Sequence, residues 1–370
     1  MSIRDPFPDS LRALALLGVL LINAAGYLSG PLGPVLGEHA AGSGGATLAL
    51  QGFYAFGVQG KALPILAFLF GMGLVMAQRG QPAATALDRA RRRQKWLLLL
   101  GVLHGVFIYF GDILTMYALI GWFLLNHARM PWNRLRGQLR RALVWALVFA
   151  VGTVALIGLM LMGAAETGID PEPNFADVDG WTGFWSLNLV GYLIIQSGAL
   201  LVGFPLLRLL MLAGMAAARL RWLTHPRWQG QRQRLLRSWA WPALLANAAY
   251  GLSYMHFAGH RDAQSMVEVL GYSVGPLLSM VMVTALAQHA RSAPWLLTLA
   301  PLGQRTLTLY IGHGLLCVLL FSGVGMGWQP GLGGMLVFSL LLWTTALVLA
   351  KASGHHRWLL EAWLGKMAGR

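Results

Sequence analysis

Residues 11–30 read LRALALLGVLLINAAGYLSG, an apolar run that carries Arg12 as its one charged side chain. A helix of about 20 residues rises about 30 Å, which matches the hydrocarbon core of a bilayer. Similar runs recur along the 370-residue chain, which is 56% hydrophobic and only 11% charged. A soluble domain carries about 25% charged residues. The sequence therefore predicts an all-α, polytopic helical membrane protein.

We predict about ten transmembrane helices in one domain that comprises residues 1–370. The predicted spans are 11–30, 52–78, 96–111, 112–128, 142–164, 186–218, 239–257, 266–288, 306–325 and 333–351. The first run resembles a signal peptide, but it has no clean cleavage site and is expected to be retained. Spans 96–111 and 112–128 are short, so the hairpin that joins them is expected to lie below the outer surface. Segment 186–218 is too long for one upright span and is expected to bend near residues 203–205.

The basic residues orient these spans. Of the 28 Lys and Arg residues, 25 fall in loops of one parity, and the opposite loops hold only Arg261. The positive-inside rule then places both the N and the C terminus in the cytoplasm. The net charge of +15 could suggest nucleic acid. Because the charges lie in short loops beside apolar runs, we expect contact with anionic membrane lipids and no nucleic acid.

A small set of polar side chains remains inside the predicted spans. The charged ones are Lys61, Asp112 and Arg208, and the neutral ones include Asn23, His104 and His313. A charged side chain at mid-membrane costs about 2.5–3.5 kcal/mol, so such residues usually pair, face the protein interior and mark a site. Their depths along the helices permit one common polar cavity. Arg12 shares a helix face with Asn23, since eleven residues are three turns.

Each of these residues also has a purely structural interpretation. Asp112 could form an ion pair with Lys61 or Arg208, and His104 and His313 could be interhelical hydrogen bonders. Asn23 could bridge two helices, and Arg12 could extend toward the lipid headgroups from a helix end. The sequence also contains no nucleotide, hydrolase or zinc motif, and its single cysteine, Cys317, excludes an internal disulfide. No metal is predicted.

Three blocks of sequence carry a resemblance to a known family. They are DSLRALALLGVLLIN at 9–23, FLFGMG at 68–73, and GVLHG at 101–105 with GDILTMYAL at 111–119; weaker blocks are LAGM at 212–215 and GQRTLTLY at 303–310. The chain resembles the YeiB-like family of bacterial inner-membrane proteins, with a YeiB-like N-terminal part at about 1–165 and a C-terminal part at about 180–370. Ala13 departs from the family's usual Gly, and segment 354–360 lacks the usual Gly-Pro-x-Glu, from which Glu361 is displaced.

The opening block is also similar to that of the lysosomal heparan glucosaminide acetyltransferase and other multi-span acyltransferases. The resemblance implies transfer of an acyl group from cytoplasmic acyl-CoA to an acceptor at or across the membrane. Asn23 matches an active-centre asparagine of that enzyme, and His39 is the histidine in the loop after the first span. The resemblance implies catalytic roles for Asn23 and His39. From the polar residues of the predicted spans we add His104 and Asp112 as catalytic candidates, and Arg12, Lys61, Tyr117, Arg208 and His313 as candidates for substrate binding.

Two other functions stay open at this point. In a transporter or flippase, the intramembrane charges would bind a small molecule or lipid, or relay protons. A non-catalytic scaffold is the third reading, and the number of intramembrane ionisable groups argues against it. The expected partners are membrane lipids and a small-molecule or lipid substrate, and the sequence leaves open whether the chain forms a homodimer.

Overall fold

The computed structural model describes residues 5–30, 44–163, 175–258, 260–290, 293–354 and 356–369. These ranges are helical and contain no strand. The helices are α1 (Phe7–Ser29), α2 (Gly45–Gly57), α3 (Ala62–Met76), α4 (Ala83–Phe107), α5 (Leu114–Leu124), α6 (Trp132–Gly163), α7 (Gly180–Gly198), α8 (Phe204–Leu220), α9 (Gln229–His256), α10 (Arg261–His289), α11 (Pro294–Leu297), α12 (Ala300–Gly303), α13 (Thr306–Phe321), α14 (Gly331–Ala352) and α15 (Leu359–Met367). The predicted all-α class is confirmed.

Six stretches of the described chain are long and apolar enough to cross a membrane: α1, α2 together with α3, α6, α7, α10 and α14. A seventh is added if the α11–α12 segment and α13, which meet at 70°, form one broken span. The protein is thus a multi-span helical membrane protein. The larger number of about ten crossings and the cytoplasmic placement of both termini stay predictions.

The helices that account for the difference are either short or only partly apolar. Helix α4 begins at Ala83 with several basic turns, so only its second half is apolar. Helix α5 has 11 residues and rises about 17 Å, which is about half a bilayer. Helix α9 likewise begins with a basic segment. Hydropathy located the apolar halves of α4 and α9, but both helices continue through polar sequence in which hydropathy carries no signal.

A change of helix type interrupts the long segment predicted at 186–218. Helix α7 ends at Gly198, a π-helical turn spans Ala199–Gly203, and α8 begins at Phe204. Pro205 is the second residue of α8, where its missing N–H costs no helical hydrogen bond. The irregular turn therefore lies immediately before the proline, at the position where the sequence predicts the bend.

Helix α1 is surrounded by other helices. From α14, the indole Nε1 of Trp343 donates to the carbonyl of Ala13 at 2.8 Å, and the Ser339 hydroxyl donates to the carbonyl of Leu20 at 3.3 Å. At the beginning of α1, a Cβ on Gly303 of α12 would lie 1.7 Å from the Asp9 carbonyl oxygen. Backbone and side chain thus fix α1 on two sides, and its residues form part of the main core.

Helices α3 and α8 cross in direct backbone contact. A Cβ on Gly214 would lie 1.9 Å from the carbonyl oxygen of Phe68, and one on Gly71 would lie 2.0 Å from that of Met211. Small residues at a crossing let two membrane helices approach closely and gain dispersion contacts that lipid does not supply. The two glycines therefore set the distance between the helices.

The outer helices present apolar side chains on their free faces. On α6, Val144, Leu147 and Val151 are 60%, 56% and 67% exposed. Contiguous apolar surface of this kind on a soluble monomer would be rare, whereas a lipid-facing helix requires it. The exposed indoles of Trp181 and Trp185 lie at the beginning of α7, a position typical of the membrane–water interface.

Candidate functional site

A buried histidine–aspartate pair lies where α4 meets α5. Helix α4 ends with the amides of Ile108 and Tyr109 both donating to the His104 carbonyl, at 2.9 and 2.8 Å. The chain then reverses through Gly111 and returns Asp112 to the same level. The Nδ1 atom of His104 lies 3.1 Å from Oδ1 of Asp112, and both side chains are buried. The short hairpin predicted between spans 96–111 and 112–128 therefore builds this pair.

The Asp112 carboxylate is held by donors on both of its oxygens. Its Oδ2 accepts from the backbone N–H and the hydroxyl of Thr115, at 2.7 and 2.8 Å. Its Oδ1 also accepts from the Tyr310 hydroxyl of α13 at 3.2 Å, and its backbone carbonyl accepts from Gln196 of α7 at 2.8 Å. The Thr115 hydroxyl in turn lies 3.1 Å from that of Tyr192. These donors stabilise a negative charge without a lysine or arginine contact.

The second nitrogen of His104 is left without a partner. Its Nε2 is buried and makes no hydrogen bond within the described chain. A Cβ on Gly314 of α13 would lie 3.0 Å from it, so α13 approaches this nitrogen closely at a residue without a side chain. Nδ1 faces a carboxylate, and the neutral tautomer that donates from Nδ1 to Asp112 has an acceptor lone pair on Nε2. This is the electronic arrangement of a general base that a carboxylate orients.

Helix α13 supplies the wall on this side of the pair. Tyr310 lies with its ring centroid 4.6 Å from that of His104. His313 follows one turn later; its nitrogens lie 3.6 and 3.7 Å from the Cys317 sulfur, and its ring packs 5.8 Å from Phe338. His313 therefore shares the helix that closes the site, and its recorded polar contact is to Cys317 within that helix.

Asn23 lies on α1 one turn before Tyr27, a residue that contacts α4 and α13. Tyr27, one turn further along α1, donates to the carbonyl of Ile108 at 2.6 Å and lies 3.5 Å from that of Gly314. Residues four apart share a helix face, so Asn23 lies on the side that meets α4 and α13. Its amide nitrogen is buried and makes no hydrogen bond within the described residues. A free donor thus lies on the same side of α1 as the free acceptor of His104.

Lys61 belongs to a second buried polar cluster. Its Nζ donates to the Ala55 carbonyl at 2.7 Å and lies 5.1 Å above the ring of Tyr250. The Tyr250 hydroxyl donates to Gln59 at 2.7 Å, and Ser279 of α10 donates to the Lys61 carbonyl at 2.9 Å. A carbonyl and an aromatic face therefore stabilise this ammonium group.

The remaining predicted residues have separate surroundings. Arg208 donates to Gln138 of α6 at 2.8 Å, Arg12 pairs with Asp9, and the Tyr117 hydroxyl donates to the Leu63 carbonyl at 2.6 Å. His39 lies outside the described residues. The sequence-based alternative of an ion pair between Asp112 and Lys61 or Arg208 is not what the structure contains, because Asp112 pairs with His104. The similar depths predicted for these residues from the sequence did not imply that they contact one another.

Several residues of the site were not predicted. Tyr310, Tyr192 and Gln196 come from helices distant in sequence, and Thr115 lies three residues after Asp112. Tyr310 ends the GQRTLTLY block and Thr115 lies in the GDILTMYAL block, so the family resemblance contained a signal for these two. The described chain contains no group of three or more His, Cys, Asp or Glu side chains that could hold a metal ion.

One family model and several curated proteins match the sequence of this chain. A family model described as "Protein of unknown function (DUF418)" matches residues 217–357. "Uncharacterized protein YxaH" of Bacillus subtilis (strain 168) is 25% identical over 355 residues, which cover 86% of this chain and 82% of the relative. "Uncharacterized protein YeiB" of Escherichia coli (strain K12) is 30% identical over 236 residues, 58% of this chain and 56% of the relative.

A third relative, "Uncharacterized 39.9 kDa protein in amylase 3'region" of Bacillus acidopullulyticus, is 29% identical over 162 residues, 42% of this chain and 43% of the relative. No solved structure matches. The resemblance to the YeiB-like family is confirmed by these matches. The matched range 217–357 includes the 303–310 block, whose last residue, Tyr310, contacts Asp112.

Proposed function

We propose that this YeiB-like chain is a membrane acyltransferase that moves an acyl group from acyl-CoA to a hydroxyl or amine acceptor. The observation that carries the proposal is the buried, unpartnered Nε2 of His104, whose ring Asp112 orients through Nδ1. An acceptor group must lose a proton as it attacks a thioester, and a positioned imidazole is the side chain that most often accepts it.

The reaction transfers one proton twice, first to His104 and then to the departing thiolate. His104 Nε2 takes the proton from the acceptor while the acceptor oxygen or nitrogen attacks the thioester carbonyl, which gives a tetrahedral oxyanion. The intermediate collapses with cleavage of the carbon–sulfur bond, and the imidazolium returns its proton to the CoA thiolate. Asp112 stabilises the imidazolium, as a carboxylate does in a catalytic triad. The free amide N–H of Asn23 is the proposed donor to the oxyanion.

The burial of the pair suits this chemistry. Hydrogen bonds to developing charge are stronger where water is excluded. The α4–α5 hairpin and α13 hold His104 through contacts on several sides. The base is therefore preorganised, which reduces the cost of reorientation during the reaction.

Incubation of the purified full-length chain in nanodiscs with radiolabelled acetyl-CoA tests the proposal. We expect specific binding of acetyl-CoA, followed by filtration, and slow release of the CoA thiol, followed with a thiol reagent. The His104→Ala variant should lose release, and a His256→Ala variant should retain it, because His256 is exposed at the end of α9. Absence of acetyl-CoA binding by the wild-type protein would rule out the acyltransferase with this donor.

The Lys61 cluster favours transport as a second candidate function. A buried ammonium over an aromatic ring, beside a glutamine and a tyrosine, is a polar group at depth that structural stability alone does not require. In a transporter or flippase this cluster would bind a small molecule or lipid. Flux of a labelled substrate into proteoliposomes tests this function. Loss of flux in a Lys61→Met variant, with flux retained in His104→Ala, would favour transport over acyl transfer.

We also propose the orientation that the basic loops indicate. Both termini lie in the cytoplasm, about ten segments enter or cross the bacterial inner membrane, and α4 and α5 form a hairpin that enters it without a long outer loop. Fusion of a reporter that fluoresces only in the cytoplasm to each terminus checks this topology. A fluorescent fusion at both ends agrees with it, and a dark but stably produced C-terminal fusion contradicts it.

A further inference from the structure

A basic cavity that is wide open to the surface lies at the end of the molecule that the basic loops assign to the cytoplasm. It has a volume of about 280 Å³ and lies between the turn after α3, the 3₁₀ turn after α5 and the end of α8. Its wall contains three arginines, Arg79, Arg129 and Arg219, and its lining residues include no carboxylate. Its volume is close to the lower limit of about 300 Å³ for small-ligand sites.

The three guanidinium groups are fixed in place by neutral carbonyls. Arg129 donates to the carbonyls of Gln78 and Gln81, each at 2.8 Å. Arg219 donates to the carbonyls of Ala128 at 2.7 Å and His127 at 2.9 Å. Carbonyls orient the planar groups but leave their positive charges uncompensated.

None of the three arginines pairs with a carboxylate among the described residues. Arg79 donates to the Ala218 carbonyl, so its guanidinium meets the end of α8 next to Arg219. Burial lowers the pKa of Arg219, and the nearby positive charge of Arg79 lowers it further. A fourth basic residue, Arg89, donates to the Gln81 side chain at 3.0 Å at the edge of the cavity.

An arrangement of like charges that the protein holds at a cost is expected to have an anionic partner. Arginine presents planar N–H pairs that match the oxygens of a phosphate group, and such hydrogen bonds are stronger than neutral ones. We propose that the Arg79–Arg129–Arg219 cavity binds the phosphate group of an anionic ligand. The site lies on different helices from His104, and the proposal stands whether or not the chain transfers acyl groups.

Two sources could supply such a phosphate. One is the headgroup of an anionic phospholipid in the adjacent leaflet, and the other is a soluble phosphate compound. Calorimetric titration of the full-length chain with inorganic pyrophosphate probes the soluble source. Native mass spectrometry of protein released from nanodiscs of phosphatidylglycerol, compared with nanodiscs of phosphatidylcholine, probes the lipid source.

Substitutions within the cavity separate binding from folding. Gln81→Glu keeps the size and the acceptor oxygen that Arg89 uses and adds a negative charge at the edge of the cavity. Arg79→Gln removes one positive charge and a single recorded hydrogen bond. Arg91→Gln is the matched control, since it removes the same charge from an exposed residue that lies 3.8 Å from Asp88.

We expect retention of phosphatidylglycerol or affinity for pyrophosphate to fall at least about tenfold in both variants. Arg79→Gln loses a hydrogen bond to a charged group, which contributes about this much, and Gln81→Glu places a negative charge beside the anion. Arg91→Gln should bind as the wild-type protein does. The proposal is overturned if the wild-type protein binds neither probe, or if Gln81→Glu remains folded and binds as tightly as Arg91→Gln.

Discussion

Replacement of Asp112 by Asn tests how the buried carboxylate is stabilised. The carboxylate accepts four hydrogen bonds, from His104, Tyr310 and two groups of Thr115. An asparagine has one oxygen in place of two, so it can keep the donors of one side only, and the NH₂ group then meets a donor on the other side.

The expected loss follows from the two bonds that disappear. A hydrogen bond to a charged group contributes about 1.5–3 kcal/mol in soluble proteins, whereas pairs inside membranes average about 0.6 and reach about 1.7 kcal/mol. With about 1.5 kcal/mol for each of two bonds, Asp112→Asn should lower the free energy of unfolding by about 3 kcal/mol.

The assay is equilibrium unfolding in mixed micelles with increasing SDS, followed by tryptophan fluorescence. Asp88→Asn is the control, because Asp88 is exposed and lies 3.8 Å from Arg91, and an exposed pair contributes about 0–1 kcal/mol. If Asp112→Asn unfolds at the same SDS fraction as Asp88→Asn, the four-donor arrangement around Asp112 is incorrect.

Three further predictions concern packing, a backbone anchor and pH. Gly214→Ala should lower the free energy of unfolding by about 2–4 kcal/mol, because the added Cβ would overlap a backbone carbonyl of α3. Gly152→Ala, at an open position of α6, should be neutral or stabilising by up to about 1 kcal/mol. The SDS unfolding midpoints of the two variants compare them. Trp343→Phe should cost about 1 kcal/mol through loss of its hydrogen bond to α1, and a variant as stable as the wild type would show that this bond contributes nothing. Burial lowers the pKa of half-buried His127, so its protonation favours the unfolded state. Stability should therefore fall as the pH drops through the unfolded pKa of about 6.5. Between pH 7.5 and 5.5 the melting temperature should decrease more for the wild type than for His127→Gln, and equal decreases would contradict this.

The parts of the fold that hydropathy predicts are those with one uniform environment. Helices α1, α10 and α14 are apolar over most of their length. The predicted spans 266–288 and 333–351 fall within α10 and α14, and the span 11–30 ends one residue after α1. Helix α4 has two environments, a basic half and an apolar half, and a hydropathy window registers only the second. Its start at Ala83 could have been found only from helix propensity and charge spacing.

One part of the candidate site could be predicted from the sequence and another part could not. His104 and Asp112 are eight residues apart across a glycine hairpin, so their contact is encoded locally, and both were predicted to be catalytic. Tyr310 reaches Asp112 from 198 residues away, and no depth estimate from one sequence gives lateral neighbours. Lys61 and Arg208 illustrate this, since their helices turn these side chains toward Tyr250 and Gln138.

The central claim is that His104 acts as a base in acyl transfer, and single-turnover release of CoA measures that role most directly. Wild-type and His104→Gln proteins in identical nanodiscs, each in molar excess over acetyl-CoA, would be mixed with acetyl-CoA and the acceptor amine or alcohol that gives the fastest release. His104→Gln should still bind acetyl-CoA but release CoA at least about 100-fold more slowly, as expected for loss of a general base. Equal release rates for the two proteins would contradict this role of His104.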